Sequence, residues 1–221
     1  MNAAALLHLL QFASPALPIG GYSYSQGLEA AIEQGLVFDA ATARAWIASY
    51  LHEVMATWDA PLLWRLMDAF ATSDYEAVAL WSERFIASRD TFEFRAESIQ
   101  MGYSLVRLVA ELGVADVASL GDEVALPTAF ACAVAALGIP PADALLAWLF
   151  SWAENQVLVC VKSIPLGQVA GQRLLLSLQG DIAQAAAGAQ ALPDQAMSNW
   201  APGLSMLSMQ HEVQHGRLYR S

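Results

Sequence analysis

The sequence predicts an all-α protein, a single-domain helical bundle of about ten helices. Three observations carry this. Nearly every long segment repeats its apolar residues at helical spacing, and no run shows the apolar–polar alternation of a half-buried strand. Capping residues, Asn2, Asp39, Asp74 and Thr91, stand just ahead of periodic runs. A chain of 221 residues can also hide roughly 70% or more of its unfolded surface, enough for one sizeable core.

The elements follow in order. Asn2 caps a first helix, AAALLHLLQF. Ser23 with Gln26 three residues on fits a capping box, so a second helix should start there and end near Gly35. Asp39 caps a long segment that places Trp46, Ile47, Tyr50, Leu51, Val54 and Trp58 on one face. Pro61 fits the first turn of the next helix, with Leu62, Leu63, Leu66 and Phe70 as core positions. Asp74 opens a helix carrying Val78, Trp81 and Phe85, and Thr91 opens a longer one with Ile99, Val106, Val109 and Leu112. Gly113 and Gly121 frame a loop, and an apolar helix then runs to about Leu137. Pro141 begins a segment apolar nearly all round, the pattern of a central helix. Pro165 begins another, LGQVAGQRLLLSLQGDIAQAA. Residues 1–187 read as the helical body. Residues 188–221, with two prolines and a glycine between Gly188 and Leu204, read as a mobile linker and a C-terminal partner-binding tail.

Composition narrows the function. Hydrophobic residues make up 57% and charged residues 14%, against about 25% charged in an ordinary soluble domain. So little charge points to surface buried against partners or a membrane. The charge-free runs, residues 1–28 and 124–142, are broken by prolines and do not read as spans of about 20 apolar residues. No Lys or Arg precedes Arg44, so there is no signal-peptide n-region, and the expectation is a cytoplasmic protein without membrane contact. Net charge is −11 with one lysine, Lys162, which leaves no basic stripe for nucleic acid. Cys132 and Cys160 are isolated among apolar residues and read as buried thiols.

The loudest chemical pattern is His211-Glu212-Val213-Gln214-His215. On a helix, H-E-x-x-H puts two imidazoles on one face with a glutamate placed to activate a zinc-bound water. A zinc peptidase is therefore the alternative reading, with His211 and His215 as weak metal candidates. It wants a third ligand, and after His215 only GRLYRS remains, with Gly216 favouring a helix end. There is no G-x-x-x-x-G-K-[ST] loop for nucleotide phosphates. Gly167 and Gly171 allow close helix approach inside the fold or across a dimer, with Gln168, Gln172 and Arg173 beside them. In the long helix, Arg95, Ser98 and Gly102 fall within a turn of each other, with Gln100 on another side and Glu93 and Glu97 near enough for local pairing with Arg95. His8 and His52 lie on largely apolar faces and read as structural.

The stretch SPALPIGGYSYSQGLE, from Ser14 to Glu29, then RAESIQMG, PLGQVAGQR and HEVQHGRLYRS stand in one order along the whole chain. In this the sequence resembles the UreF family of urease accessory proteins. His215 departs from the aromatic residue the resemblance leads one to expect there, and that departure alone completes the H-E-x-x-H pattern. The resemblance implies an all-helical, non-enzymatic chaperone that works as a homodimer. It implies partners: UreD (also called UreH), the GTPase UreG and apo-urease, with GTP hydrolysis coupled to nickel insertion. No tightly bound cofactor is implied, and nickel passes at most transiently. The opening stretch becomes a pre-shaped recognition loop, its prolines limiting the entropy lost on docking. Partner-binding candidates are Tyr22, Ser23, Tyr24, Glu29, Arg95, Ser98, Gln100, Gln168, Gln172, Arg173, His211, Glu212, Gln214, Arg217 and Arg220. Arg217 or Arg220 is expected to pack against the loop. A third class, a helical sensor with a ligand inside the bundle, would require a sizeable closed cavity and leaves the Gly/Pro/Tyr loop unexplained.

Overall fold

The computed structural model describes residues 1–121 and 123–221, and those residues form helices and connections with no strand among them. The α-helices are α1 Ala3–Phe12, α2 Leu28–Glu33, α3 Ala40–Tyr50, α4 Ala60–Ala71, α5 Tyr75–Ala87 and α6 Phe92–Glu111. They continue with α7 Leu126–Ala136, α8 Pro141–Ser163, α9 Gln168–Ser177, α10 Gln179–Ala191 and α11 Pro202–Glu212. The expected caps form: Asn2 Oδ1 accepts from Ala5 N, Asp74 Oδ1 from Ala77 N and Thr91 Oγ1 from Phe94 N. Asp39 and Thr42 close a reciprocal capping box.

One core runs through the whole body. Leu62, Leu63 and Leu66 of α4 and Leu145 and Leu149 of α8 are fully buried within it. Helix α8 is the one helix among the described residues long and apolar enough to cross a membrane. Here it packs against α2, α3, α4, α9 and α10 as a central element. Two glycines set helix spacing. A Cβ on Gly102 would lie 1.9 Å from the Val124 carbonyl oxygen, so α6 touches the chain entering α7 backbone to backbone. A Cβ on Gly171 would lie 2.5 Å from Val161 Cγ2, which places that notch inside the fold, against α8. Cys132 and Cys160 are free buried thiols, and burial pushes Cys160 up to about 12.

Several boundaries differ from the sequence reading. Ser23 and Gln26 form no capping box: Ser23 Oγ donates to the Gly20 carbonyl, and Gln26 and Gly27 both take positive φ before α2 begins at Leu28. Helices α3 and α4 do not separate, because a π-helical segment, Leu51–Asp59, joins them into one rod. Pro61 has no N–H to offer the Thr57 carbonyl one α-helical step back. That carbonyl instead accepts from Ser198 N at 3.1 Å, while Thr57 Oγ1 donates to the Ser198 carbonyl at 2.7 Å. The segment after α10 is therefore pinned to the rod rather than loose. Arg65 strengthens the pin through Asp194 and the Leu192 carbonyl, and Asn199 Nδ2 donates to the Ser88 carbonyl. The boundary expected at residue 188 falls inside α10, and the long helix expected after Pro165 is divided at Leu178.

Candidate functional site

The opening loop and the C-terminal segment, about 190 residues apart in sequence, fold onto each other across α6 and α8. Backbone pairs them first: Ser25 N donates to the Ser221 carbonyl at 2.9 Å and Arg220 N to the Ser23 carbonyl at 2.8 Å. The Ser25 hydroxyl also donates to the Ser221 carbonyl. Underneath, Asn155 Nδ2 and Gln156 Nε2 of α8 hold the Tyr24 and Ser25 carbonyls at 2.9 and 3.3 Å. Gln26, at positive φ, donates to Glu97 and accepts from Trp152 Nε1 at 2.7 Å, which offsets the cost of about 1 kcal/mol for a left-handed non-glycine residue.

The centre of the junction is a buried charge cluster. Glu29 Oε1 accepts from Leu218 N at 2.7 Å and Oε2 from Tyr219 N at 3.0 Å. His211 is completely buried, with Nε2 2.9 Å from Glu29 Oε2 and Nδ1 2.8 Å from Glu93 Oε2. Arg217 Nη1 donates to Glu93 Oε1 at 3.0 Å. Burial raises Glu93 above the ordinary carboxylate range, against the pull of His211 and Arg217. One turn along α6, Glu97 accepts from Ser221 Oγ at 2.8 Å, and its burial lifts it to about 7. Beneath the loop lies a cavity of about 160 Å³, lined by Gln26, Glu97, Trp152 and the buried Asp59–Arg89 pair.

This geometry removes the zinc-peptidase reading. Helix α11 ends at Glu212, so the exposed His215 lies beyond it and the two histidines do not share a helical face. Both ring nitrogens of His211 face carboxylates, Glu29 at 2.9 Å and Glu93 at 2.8 Å, so neither points into a space a metal could occupy. Among the described residues no group of three His, Cys, Asp or Glu side chains is arranged to hold a metal ion.

Of the sequence candidates, the structure gathers Tyr22, Ser23, Tyr24, Glu29, Gln100, His211, Arg217 and Arg220. Tyr24 hydroxyl donates to Gln100 Oε1 at 2.6 Å. Arg217 meets the loop only indirectly, through Glu93 and His211, whereas Arg220 lies along it by its backbone. Ser98 is buried, donates to the Phe94 carbonyl and lines the cavity. Arg95 pairs with Glu123 at 2.9 Å on the surface and does not join Glu93 or Glu97. Glu212 and Gln214 are half-buried at the rim. Gln168, Gln172 and Arg173 lie exposed on α9, outside the loop–tail junction. Sequence reading missed Ser25, Gln26, Glu93, Glu97, Asn155, Gln156 and Tyr219. A signal existed for two of them: Glu93 and Glu97 are two acids four apart, and Arg95, two residues from each, is off the three- and four-residue spacing at which helix side chains pair.

The loop and tail leave one mixed surface open to solvent. Tyr22 and Tyr103, 59% and 58% exposed, stand with Ile99, Gln100 and Arg220 around a shallow groove. The fold and this junction define a helical scaffold that uses its buried charges to hold its own tail in a fixed shape. The UreF family profile matches residues 37–179. The chain is 65% identical to the urease accessory protein UreF of Janthinobacterium sp. (strain Marseille) over 100% of both chains. It is 56% identical to the urease accessory protein UreF of Nitrosospira multiformis over 98% of both, and 49% identical to that of Azoarcus sp. over 98% of this chain and 95% of the relative. The chain belongs to the UreF family of urease accessory proteins.

Proposed function

We propose that the chain is a non-catalytic adaptor in urease maturation. It dimerises, binds UreD/UreH and recruits the GTPase UreG to apo-urease in the cytoplasm, so that GTP hydrolysis is coupled to assembly of the nickel centre. Nickel passes through such an assembly without resting in this chain. The observation that carries the reading is the full-length identity of 65% to a urease accessory protein UreF. The loop–tail surface supports it: a rigid patch with exposed Tyr22, Tyr103 and Arg220 offers aromatic area and a cation at low ordering cost.

The purified chain mixed with UreD, UreG, apo-urease, nickel, GTP and magnesium tests this. Light scattering should show a joint complex, and urease activity should appear only with the chain present. Arg220→Ala and Tyr22→Ala should weaken recruitment of UreG without disturbing the fold. His215→Tyr should leave activation intact. Activation that proceeds without the chain, or a stoichiometric metal lost on His215→Tyr, overturns the adaptor reading.

A further inference from the structure

A second surface, on the α1 side of the body, carries an unpartnered apolar face. Helix α1 buries Ala5, Leu9 and Phe12 and turns Leu6, Leu7 and Leu10 outward, with Leu7 66% and Leu10 60% exposed. These outward residues recur at the three- and four-residue spacing of a helix-docking stripe. Beside them a groove of about 660 Å³ runs between α1, α8 and α10, with Leu10, Leu146, Phe150 and Ile182 on its walls.

The charged side chains along this groove have one sign. Its lining includes Asp143 and Glu154 and no Lys or Arg. Among the described residues neither carboxylate forms an ion pair. Asp143 has a local reason to be there, since it sits in the first turn of α8 against the positive end of the helix dipole. Glu154 has none: it is mid-helix and half-buried, and burial alone raises it above the usual carboxylate range. An acid held against an apolar wall without a cation costs free energy that a docked cation would recover. Eleven residues of α8 separate the two acids, about 16 Å along the helix axis.

We infer that this groove docks an amphipathic helix of a different protein, with an apolar stripe about three turns long and Lys or Arg side chains about 16 Å apart. A second copy of this chain is the poorer occupant. Its net charge is −11, and a self-complementary contact would bring Asp143 and Glu154 against more carboxylate.

The probe is an 18-residue Leu/Lys amphipathic peptide labelled with fluorescein, titrated with the full chain at low salt, beside a Leu/Glu peptide of the same pattern. The Leu/Lys peptide should bind and the Leu/Glu peptide should not. Leu10→Glu should weaken binding at least tenfold and Glu154→Gln three- to tenfold. Glu76→Gln, the same charge change on exposed α5, should have no effect. Leu10 is mostly exposed, so its variant folds, which circular dichroism verifies. Equal weakening by Glu76→Gln and Glu154→Gln would mean unspecific attraction to an acidic chain and overturn the proposal. So would a drop in the mass of the unliganded chain on Leu10→Glu, measured by sedimentation equilibrium, because a second copy would then be the occupant.

Discussion

Replacing Glu29 by Gln should release the C-terminal segment while leaving the helical body folded. The carboxylate takes three donors at once: Leu218 N, Tyr219 N and His211 Nε2, at 2.7, 3.0 and 2.9 Å. An amide of the same size keeps one acceptor oxygen and turns an NH₂ toward at least one of these donors. With the amide oxygen at the Oε2 position the Leu218 bond is lost, about 1.5–3 kcal/mol, and the other two lose their charge assistance, about 1 kcal/mol each, so tail docking weakens by roughly 3.5–5 kcal/mol. Each 1.4 kcal/mol is about a factor of ten, so 3 kcal/mol is a factor above 100. Hydrogen exchange is the direct assay, because two of the donors are themselves backbone amides. Leu218 and Tyr219 should exchange at least about 100-fold faster in Glu29→Gln, up to the limit set by complete tail release. Amides in the middle of α8 should be little changed. Exchange at Leu218 and Tyr219 within threefold of the parent would refute the claim that Glu29 holds the tail.

Three further outcomes follow from the packing and the buried charges. Glu97, at about 7 against an ordinary 4.5, binds more protons in the folded than in the unfolded state between those values. Stability to urea should therefore fall by roughly 3 kcal/mol as pH rises from 4.5 to 7, Glu93 adding in the same direction, and Glu97→Gln should flatten the slope. Stability that rises through this window would contradict it. Gly102→Ala should cost about 1–3 kcal/mol or more in urea unfolding, because the added methyl meets the Val124 carbonyl, whereas Gly188→Ala, in open space within α10, should gain about 0.5–1 kcal/mol. Asp59→Ala should cost about 3–5 kcal/mol by stranding buried Arg89, and the double replacement Asp59→Leu with Arg89→Met should recover most of it in a thermal melt.

Much of the fold was legible because its signals are local. Asn2, Asp39, Asp74 and Thr91 cap where they should, since a side chain reaching three residues along its own backbone needs no tertiary help. Buried Ile47, Leu51, Leu63 and Leu66 follow from helical spacing in the same way. The resemblance carried by the loop and tail motifs led to the family that the comparisons show.

What the sequence could not supply were contacts between residues distant along the chain. Ser23 and Gln26 satisfy a local capping rule, yet Glu97 and Trp152 take the Gln26 side chain and fix its backbone at positive φ. His211 spells a metal motif with its neighbours, but two glutamates from α2 and α6 claim both ring nitrogens. Pro61 signals a helix start, yet the rod continues, with the Ser198 N–H donating to the Thr57 carbonyl that Pro61 cannot serve. Periodicity and capping are short-range and so are written in the sequence. A buried hydrogen bond goes to whichever donor and acceptor the folded chain brings within 3 Å, and that competition is settled only in three dimensions.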